Sequence, residues 1–97
     1  MRRRNYIISY DISDPKRLRR VHKVCRSYGI HLQYSVFEAD LTRMEKAELD
    51  ARLKSEIDEE EDQVIFIDLG ESAYRENHVV TAIGKKYEKL DPPCFIA

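Results

Sequence analysis

The chain has 97 residues, 42% of them hydrophobic and 36% charged, which predicts one small folded domain over residues 1–97. No apolar run approaches the roughly 20 residues that span a bilayer, so we expect no membrane partner. Only Tyr-Ile-Ile follows the basic start, which is too short for the core of a signal peptide. Cys25 and Cys94 stand far apart without metal-binding spacing, which indicates a reducing, cytoplasmic location.

The formal net charge of −1 conceals a strong polarity along the chain. Residues 1–35 carry nine basic and two acidic side chains, residues 36–62 carry four and eleven, and the remainder carry four and five. The three segments therefore have charges of +7, −7 and −1. The basic segment predicts an anionic partner, with nucleic acid as the first candidate. The alternative is that the two oppositely charged segments neutralise each other within the fold.

The first predicted element is a short strand over residues 6–10, where aromatic and β-branched residues dominate. Because side chains alternate along a strand, the segment has two distinct faces. These are Tyr6, Ile8 and Tyr10 on one face, and Ile7, Ser9 and Asp11 on the other.

The segment SDPKRLRRVHKVCRSYG predicts a helix with a defined start and end. Asp14 can cap the helix, Pro15 suits its first position, and Gly29 suits a left-handed stop. Apolar residues recur at helical spacing and predict a face that packs on a core: Leu18, Val21, Cys25 and Tyr28. Basic residues fill much of the remaining surface: Arg17, Arg19, Arg20, Lys23 and Arg26.

The segment IHLQYSVFEADL returns to extended structure, as either one bent strand or a tight hairpin. Thr42 and Glu45 then form the Thr-x-x-Glu pattern of a capping box and predict the start of a second helix. Its apolar stripe consists of Leu49, Leu53 and Ile57.

An acidic run, EIDEEED, ends this helix and predicts a solvated loop, with docking to a basic partner as the alternative. The almost continuously apolar segment QVIFIDL is typical of a strand in the middle of a sheet. HVVTAIG indicates another short strand, and CFIA a last extended piece.

The predicted order is β-α-β-β-α-β with an additional C-terminal strand, which is the α+β ferredoxin-like pattern with an antiparallel sheet. Both helices would cover one sheet face. The other face would carry Ile7, which is too apolar for exposure to water. We therefore expect a second copy of the chain to cover that face, forming a homodimer.

Asp11 is the residue with the clearest chemical potential, because it stands where the first strand ends. Such positions commonly hold binding sites in α/β folds, yet an aspartate before a helix is also an ordinary turn residue. Mg²⁺ often keeps several waters and takes only one or two carboxylates plus phosphate oxygens. A two-fold axis near Asp11 would supply a second carboxylate. Both interpretations remain open from residue chemistry alone.

The runs YDISDPKR and YGIHLQYSVFEADLT resemble the Cas-two family, the small CRISPR-associated proteins of spacer acquisition. The most specific part is Gln-Tyr-Ser-Val-Phe-Glu at residues 33–38, at its distance from Tyr10 and Asp11. The resemblance covers nearly the whole chain. It implies a ferredoxin-like homodimer whose sheets lie face to face, with residues 79–97 reaching the partner's sheet.

The resemblance also implies an activity and a set of partners. Some members are Mg²⁺-dependent endonucleases, with Mn²⁺ as a possible substitute, and Asp11 matches their metal ligand beside Tyr10 as a second catalytic position. Other members bridge dimers of the Cas-one integrase and hold double-stranded DNA, while single-stranded RNA is a further possible substrate. The positions implied in nucleic-acid binding are Arg17, Arg20, Arg2, Arg3, His31, Ser35 and Phe37.

One departure from the family concerns His31, since many relatives have an arginine there. Histidine is mostly neutral at pH 7, so we expect a weaker or pH-sensitive contact with nucleic acid at this position. Two alternatives without a CRISPR role are a ferredoxin-like RNA-binding module, which would need exposed aromatics on neighbouring strands, and a toxin-type ribonuclease.

Overall fold

The structure, a computed structural model, describes residues 2–72 and 82–84. It contains, in chain order, β1 (Arg3–Asp11), α1 (Pro15–Arg26), β2 (Gly29–Gln33), β3 (Val36–Thr42), α2 (Arg43–Glu56) and β4 (Gln63–Glu71). The strands form one antiparallel sheet in the spatial order β2-β3-β1-β4. The predicted α+β ferredoxin-like fold is confirmed. Neither α1 nor α2 is long and apolar enough to cross a membrane.

The predictions for the C-terminal part of the chain fall almost entirely outside the described residues. Residues 82–84, the end of the HVVTAIG segment, form a bend rather than a strand. Cys94, the last extended piece and the reach of residues 79–97 toward a partner stay predictions.

The core lies between the sheet and the two helices, as the alternation of residues in β1 predicts. β1 contributes three buried side chains to it: Tyr6, Ile8 and Tyr10. The predicted stripe of α1 is confirmed at Val21 and Cys25, and Val24 is buried beside them. Leu49 and Leu53 of α2 complete the layer. Burial raises the pKa of the Cys25 thiol to about 12, so this thiol is a packing group rather than a reactive one.

The end of α1 differs from the prediction that Gly29 is its left-handed stop. The helix ends at Arg26, and Ser27 caps it in a right-handed conformation. Gly29 instead opens β2, where the chain approaches β3 closely. A Cβ atom at Gly29 would lie 2.4 Å from the main-chain oxygen of Glu38. The glycine is required by strand pairing, not by helix termination.

We expect Gly29→Ala to lower the free energy of unfolding by about 1–3 kcal/mol, because the added methyl group must displace a main-chain atom of β3. Urea denaturation measures this change. Ser27→Ala, two residues away on the exposed cap, is the matched control and is expected to have a smaller effect. An unchanged stability of Gly29→Ala would contradict the close approach.

The segment after α1 is a hairpin, which decides between the two possibilities left open by the sequence. β2 and β3 pair antiparallel and are joined by a two-residue turn at Tyr34 and Ser35. The capping box of α2 is also confirmed, since the main-chain N–H of Glu45 donates to Thr42 Oγ1 and that of Thr42 donates to Glu45 Oε1.

β4 was expected in the middle of the sheet, and this expectation is wrong for the described chain. β4 pairs there with β1 alone and forms an edge of the sheet. Its Val64 and Phe66 pack against the core, whereas Ile65 and Ile67 are about half exposed on the opposite side. The continuous apolar pattern therefore reflects two apolar sheet faces rather than a central position. We call the face directed away from the helices the outer face.

Candidate metal and nucleic-acid site

Asp11 is the last residue of β1, and its exposed side chain lies on the outer face. The register places Gln63 of β4 directly opposite Asp11, so both side chains share that face. Within the described residues, the Asp11 carboxylate has no hydrogen bond and no ion pair. A turn or capping aspartate would accept hydrogen bonds from nearby main-chain N–H groups, as Asp14 does from Arg17 at 2.9 Å. Asp11 is therefore an unengaged acceptor at a strand end.

The donor set around Asp11 fits a magnesium ion only in part. A carboxylate and the neighbouring amide oxygen of Gln63 are hard oxygen donors of the type that Mg²⁺ takes. However, no group of three or more His, Cys, Asp or Glu side chains within residues 2–72 and 82–84 is placed to hold a metal. The described residues would therefore supply only part of a coordination shell.

The loops on either side of the Asp11–Gln63 pair are held together by Asp62, whose side chain is 0% exposed. Its carboxylate accepts hydrogen bonds from the main-chain N–H groups of Ser13 and Asp58, at 2.9 and 2.8 Å. It also accepts one from Arg17 Nε at 2.8 Å. The Arg17 hydrogen bond, followed by the two main-chain ones, lowers the pKa of Asp62 well below its usual range. Asp62, the last acid of the acidic run, thus stabilises the arrangement of these loops. The preceding acids are exposed as expected: Glu59, Glu60 and Glu61.

Three of the predicted phosphate contacts already have acidic partners. Arg17, 24% exposed, is paired with Asp62 and also reaches Glu61. Arg2 pairs with Glu71 at 3.4 Å, and Arg3 pairs with Glu45 at 3.0 Å. Part of the basic first segment is therefore neutralised within the fold. The roles of Arg17, Arg2 and Arg3 in nucleic-acid binding stay predictions, and phosphate would have to compete with these partners.

Arg20 differs from those arginines, because it is exposed and has no ion pair within the described residues. It belongs to a set of four exposed cations at positions i, i+3, i+4 and i+7, which share one side of α1. We call this set the basic face: Lys16, Arg19, Arg20 and Lys23. Of its members only Arg20 was predicted as a contact. The helical spacing of the four cations is the sequence signal that would have identified the whole face.

The aromatic positions predicted at the site lie on the covered side of the sheet. Phe37 is 0% exposed, which leaves none of its ring available to a ligand in this conformation. Tyr10 is also buried, and burial raises its pKa. Its hydroxyl lies 3.0 Å from His22 Nδ1 and 3.4 Å from the main-chain oxygen of Tyr34. Since Tyr10 and Asp11 point to opposite faces, the structure places Tyr10 under the hairpin turn and not beside the Asp11 carboxylate.

His31 and Ser35 take part in the same cluster. The His31 ring stacks on Phe37 and meets His22 edge to face, with ring centroids 4.7 Å apart in both pairs. The main-chain oxygen of Ser35 accepts a hydrogen bond from the Tyr10 N–H at 3.1 Å. His31 is partly buried, which limits its access to nucleic acid, and its contact with nucleic acid stays a prediction.

His22 gives the cluster an expected dependence on pH. Burial first, then the charges of His31 and Arg26, lower the pKa of His22 below its ordinary value of 6.5. As pH falls through 6.5, the unfolded chain binds more protons at His22 than the folded chain, so folding becomes less favourable. We expect the free energy of unfolding to decline from pH 7 to pH 5, and His22→Gln to reduce that decline.

Urea titrations at pH 7, 6 and 5 test this expectation. Carboxylates with lowered pKa values, such as Asp62 and Asp68, lose their contribution to stability only at more acidic pH. A change in stability between pH 7 and pH 5 therefore reports on histidine. A stability that rises toward pH 5, or an equal decline in His22→Gln, would contradict it.

The fold and the site together define a ferredoxin-like α+β domain with an unengaged carboxylate at the end of its central strand and a basic helix on its other side. The model of the family described as "CRISPR associated protein Cas2" matches residues 4–77 of the chain. The chain belongs to this family, as the resemblance of its motifs indicates. The outer face of the described strands carries isoleucines and not the exposed aromatics that an RNA-binding module of the aromatic-platform type requires.

Similar proteins and structures cover most of the chain. The protein named "CRISPR-associated endoribonuclease Cas2 1" of Rhodospirillum rubrum is 38% identical over 94% of this chain and 88% of its own length. The "CRISPR-associated endoribonuclease Cas2" of Thermus thermophilus is 34% identical over 99% of this chain and 100% of its own. The crystal structure of Streptococcus pyogenes Cas2 superimposes with a TM-score of 0.70 and 35% identity, covering 82% of this chain and 99% of that one.

Proposed function

We propose that this chain is a Mg²⁺-dependent endoribonuclease of the CRISPR adaptation machinery that acts as a homodimer. The observation that carries the proposal is the exposed, unengaged carboxylate of Asp11 at the end of the central strand, next to Gln63. The names of the similar proteins, which call them endoribonucleases, support a phosphodiester substrate. RNA is therefore the cleavage substrate that we propose first.

Asp11 would hold Mg²⁺ or Mn²⁺, which supplies positive charge to the phosphodiester and favours attack by water. The residues of the chain have separate tasks. Asp11 and Gln63 present oxygen donors on the outer face. Asp62 keeps the two flanking loops in fixed positions through its contacts with Ser13 and Arg17. This rigidity stabilises the geometry of the strand end before substrate binds.

A second copy of the chain would supply donors that are absent from the described residues of one chain. Three isoleucines of the outer face are more than one third exposed: Ile30, Ile65 and Ile67. Apolar side chains on a shared sheet face favour burial against another surface, and a symmetric partner offers the same face. Pairing of the two outer faces would bring the two Asp11 strand ends toward the two-fold axis.

Nucleic acid would bind to the basic face of α1 through its phosphates. The four exposed cations have the spacing to follow a backbone, and phosphate contacts carry no base preference. The same face would hold double-stranded DNA if the dimer bridges the Cas-one integrase during spacer acquisition. The cleavage step would use the Asp11 strand end on the outer face, whereas DNA bridging would use the basic face alone.

Cleavage assays with labelled single-stranded RNA and double-stranded DNA test the proposal. We expect RNA fragments with Mg²⁺ or Mn²⁺ and none in EDTA. Absence of cleavage with either metal, or cleavage that persists in EDTA, would contradict a metal-dependent nuclease.

The role proposed for the basic face predicts a change in nucleic-acid affinity and in its dependence on salt. Arg20→Gln should weaken binding to any nucleic-acid sequence and reduce the slope of log affinity against log salt by about 1, because one phosphate contact is lost. Arg4→Gln is the matched control, since Arg4 is held by both oxygens of Asp68 at 3.0 and 3.2 Å. Equal slopes for Arg20→Gln and the unsubstituted protein would exclude the basic face as the phosphate-binding surface.

A further inference from the structure

We propose that Tyr34 is a stacking platform for an unpaired nucleobase and gives this protein a preference for single-stranded over double-stranded nucleic acid. The inference extends the proposed function and rests on it for the substrate class. It concerns how the substrate is selected, whereas the Asp11 site concerns how it is cleaved.

Tyr34 combines high exposure of its ring with a firmly held main chain. The residue is 88% exposed, more than any other aromatic residue in the described part of the chain. Its main-chain oxygen lies 3.4 Å from the Tyr10 hydroxyl and 3.2 Å from His31 Nε2, and both can donate to it. The next residue, Ser35, accepts from the Tyr10 N–H at 3.1 Å. The turn is therefore anchored from below while the phenol ring projects into solvent.

These contacts place the main chain of the turn beside the end of β1, the strand that carries Asp11. Tyr10, which binds the turn through both its main-chain N–H and its hydroxyl, is the residue immediately before Asp11. The hairpin also lies against α1, because His31 meets His22 of that helix at a ring separation of 4.7 Å. A strand whose phosphates follow the basic face of α1 can thus reach the turn with one of its bases.

An exposed phenol ring suits an unpaired base for a physical reason. Every base has a flat π-face, so stacking tolerates any sequence, and each stacked base contributes about 1–3 kcal/mol. A base inside a duplex has both faces covered by its neighbours and must be unstacked first. The Tyr34 ring therefore distinguishes single-stranded from double-stranded nucleic acid, and does not distinguish one base sequence from another. Because stacking does not contact the 2′-hydroxyl group, single-stranded DNA should bind through Tyr34 as well.

The chain contains no tryptophan, which permits a specific optical test. Tyr34→Trp introduces a single indole at the turn, and stacking on a base should quench its fluorescence. We expect quenching on addition of a single-stranded oligouridylate in EDTA, and little change with an RNA duplex of the same length. An absent response, or an equal response to both, would overturn the inference.

Affinities of substituted proteins provide the second measurement. Tyr34→Ala should weaken binding of the single-stranded oligonucleotide by roughly 5- to 150-fold and leave duplex binding within about twofold, whereas Tyr34→Phe retains the affinity. Met44→Ala, which removes a 69% exposed side chain on α2, is the matched control. Unchanged single-strand affinity of Tyr34→Ala would overturn the role of the ring.

The two proposals can fail separately. The binding measurements contain EDTA, so they do not depend on cleavage by the Asp11 site. Binding that is insensitive to Tyr34→Ala removes the stacking platform alone. A failure of the unsubstituted protein to bind any nucleic acid, with Mg²⁺ as well as in EDTA, removes both.

Discussion

Asp11→Asn is expected to reduce RNA cleavage at least about 100-fold while leaving the fold and nucleic-acid binding nearly unchanged. The amide has the shape of the carboxylate but lacks the negative charge that holds a divalent cation. The carboxylate has no hydrogen bond or ion pair within the described residues, so its replacement removes none of the interactions that stabilise them. Cleavage rates with Mg²⁺, together with Tm and affinity for RNA, measure the three properties.

Glu59→Gln is the matched control, because it removes one negative charge from an exposed residue of the acidic run. It should leave cleavage unaffected. Cleavage retained by Asp11→Asn, or lost equally in Glu59→Gln, would remove Asp11 from the reaction.

Asp11→Asn also distinguishes a role as a nuclease from a role as a DNA-bridging scaffold. We expect Asp11→Asn to support spacer acquisition in cells while lacking cleavage, since DNA bridging would use the basic face and not the strand end. Loss of acquisition in Asp11→Asn would instead make the nuclease site essential for adaptation.

Asp62→Ala is expected to be strongly destabilising, with a fall in Tm of roughly 10 °C or more. The substitution leaves the main-chain N–H groups of Ser13 and Asp58 without an acceptor and Arg17 without its closest partner. Thermal unfolding at a fixed protein concentration measures the effect, since association would otherwise alter Tm.

Glu61→Ala is the appropriate comparison for Asp62→Ala. Glu61 also pairs with Arg17, but its side chain is 62% exposed and the contact is 3.3 Å. Exposed ion pairs contribute little to stability, so its Tm should change by only a degree or two. Similar Tm values for the two variants would mean that the buried hydrogen bonds of Asp62 do not hold the loops.

The features of the fold that depend on local sequence could be predicted. The capping box at Thr42 and Glu45 and the buried positions Val21 and Cys25 of α1 depend on residues within a few turns of the same helix. The alternation in β1 likewise placed Asp11 on the outer face. Each of these was determined by spacing alone.

The features that depend on distant residues could not be predicted. Asp62 and Arg17 are 45 positions apart, and nothing in the acidic run distinguishes the one buried carboxylate from its exposed neighbours. The apolar pattern of β4 predicted a central strand, whereas β4 lies at an edge among the described strands, because strand order is decided by pairing across the sheet. The anchoring of the turn at Tyr34 likewise requires Tyr10, which lies 24 positions earlier.

Mixed dimers test most directly the claim that two Asp11 carboxylates form one site. Unsubstituted protein and Asp11→Asn, mixed in equal amounts and allowed to exchange subunits, give about one quarter of dimers with two intact chains. If the carboxylates act together, cleavage falls to about one quarter of the value for unsubstituted protein at the same total concentration. A value of about one half would show that each chain works alone and would contradict the shared site.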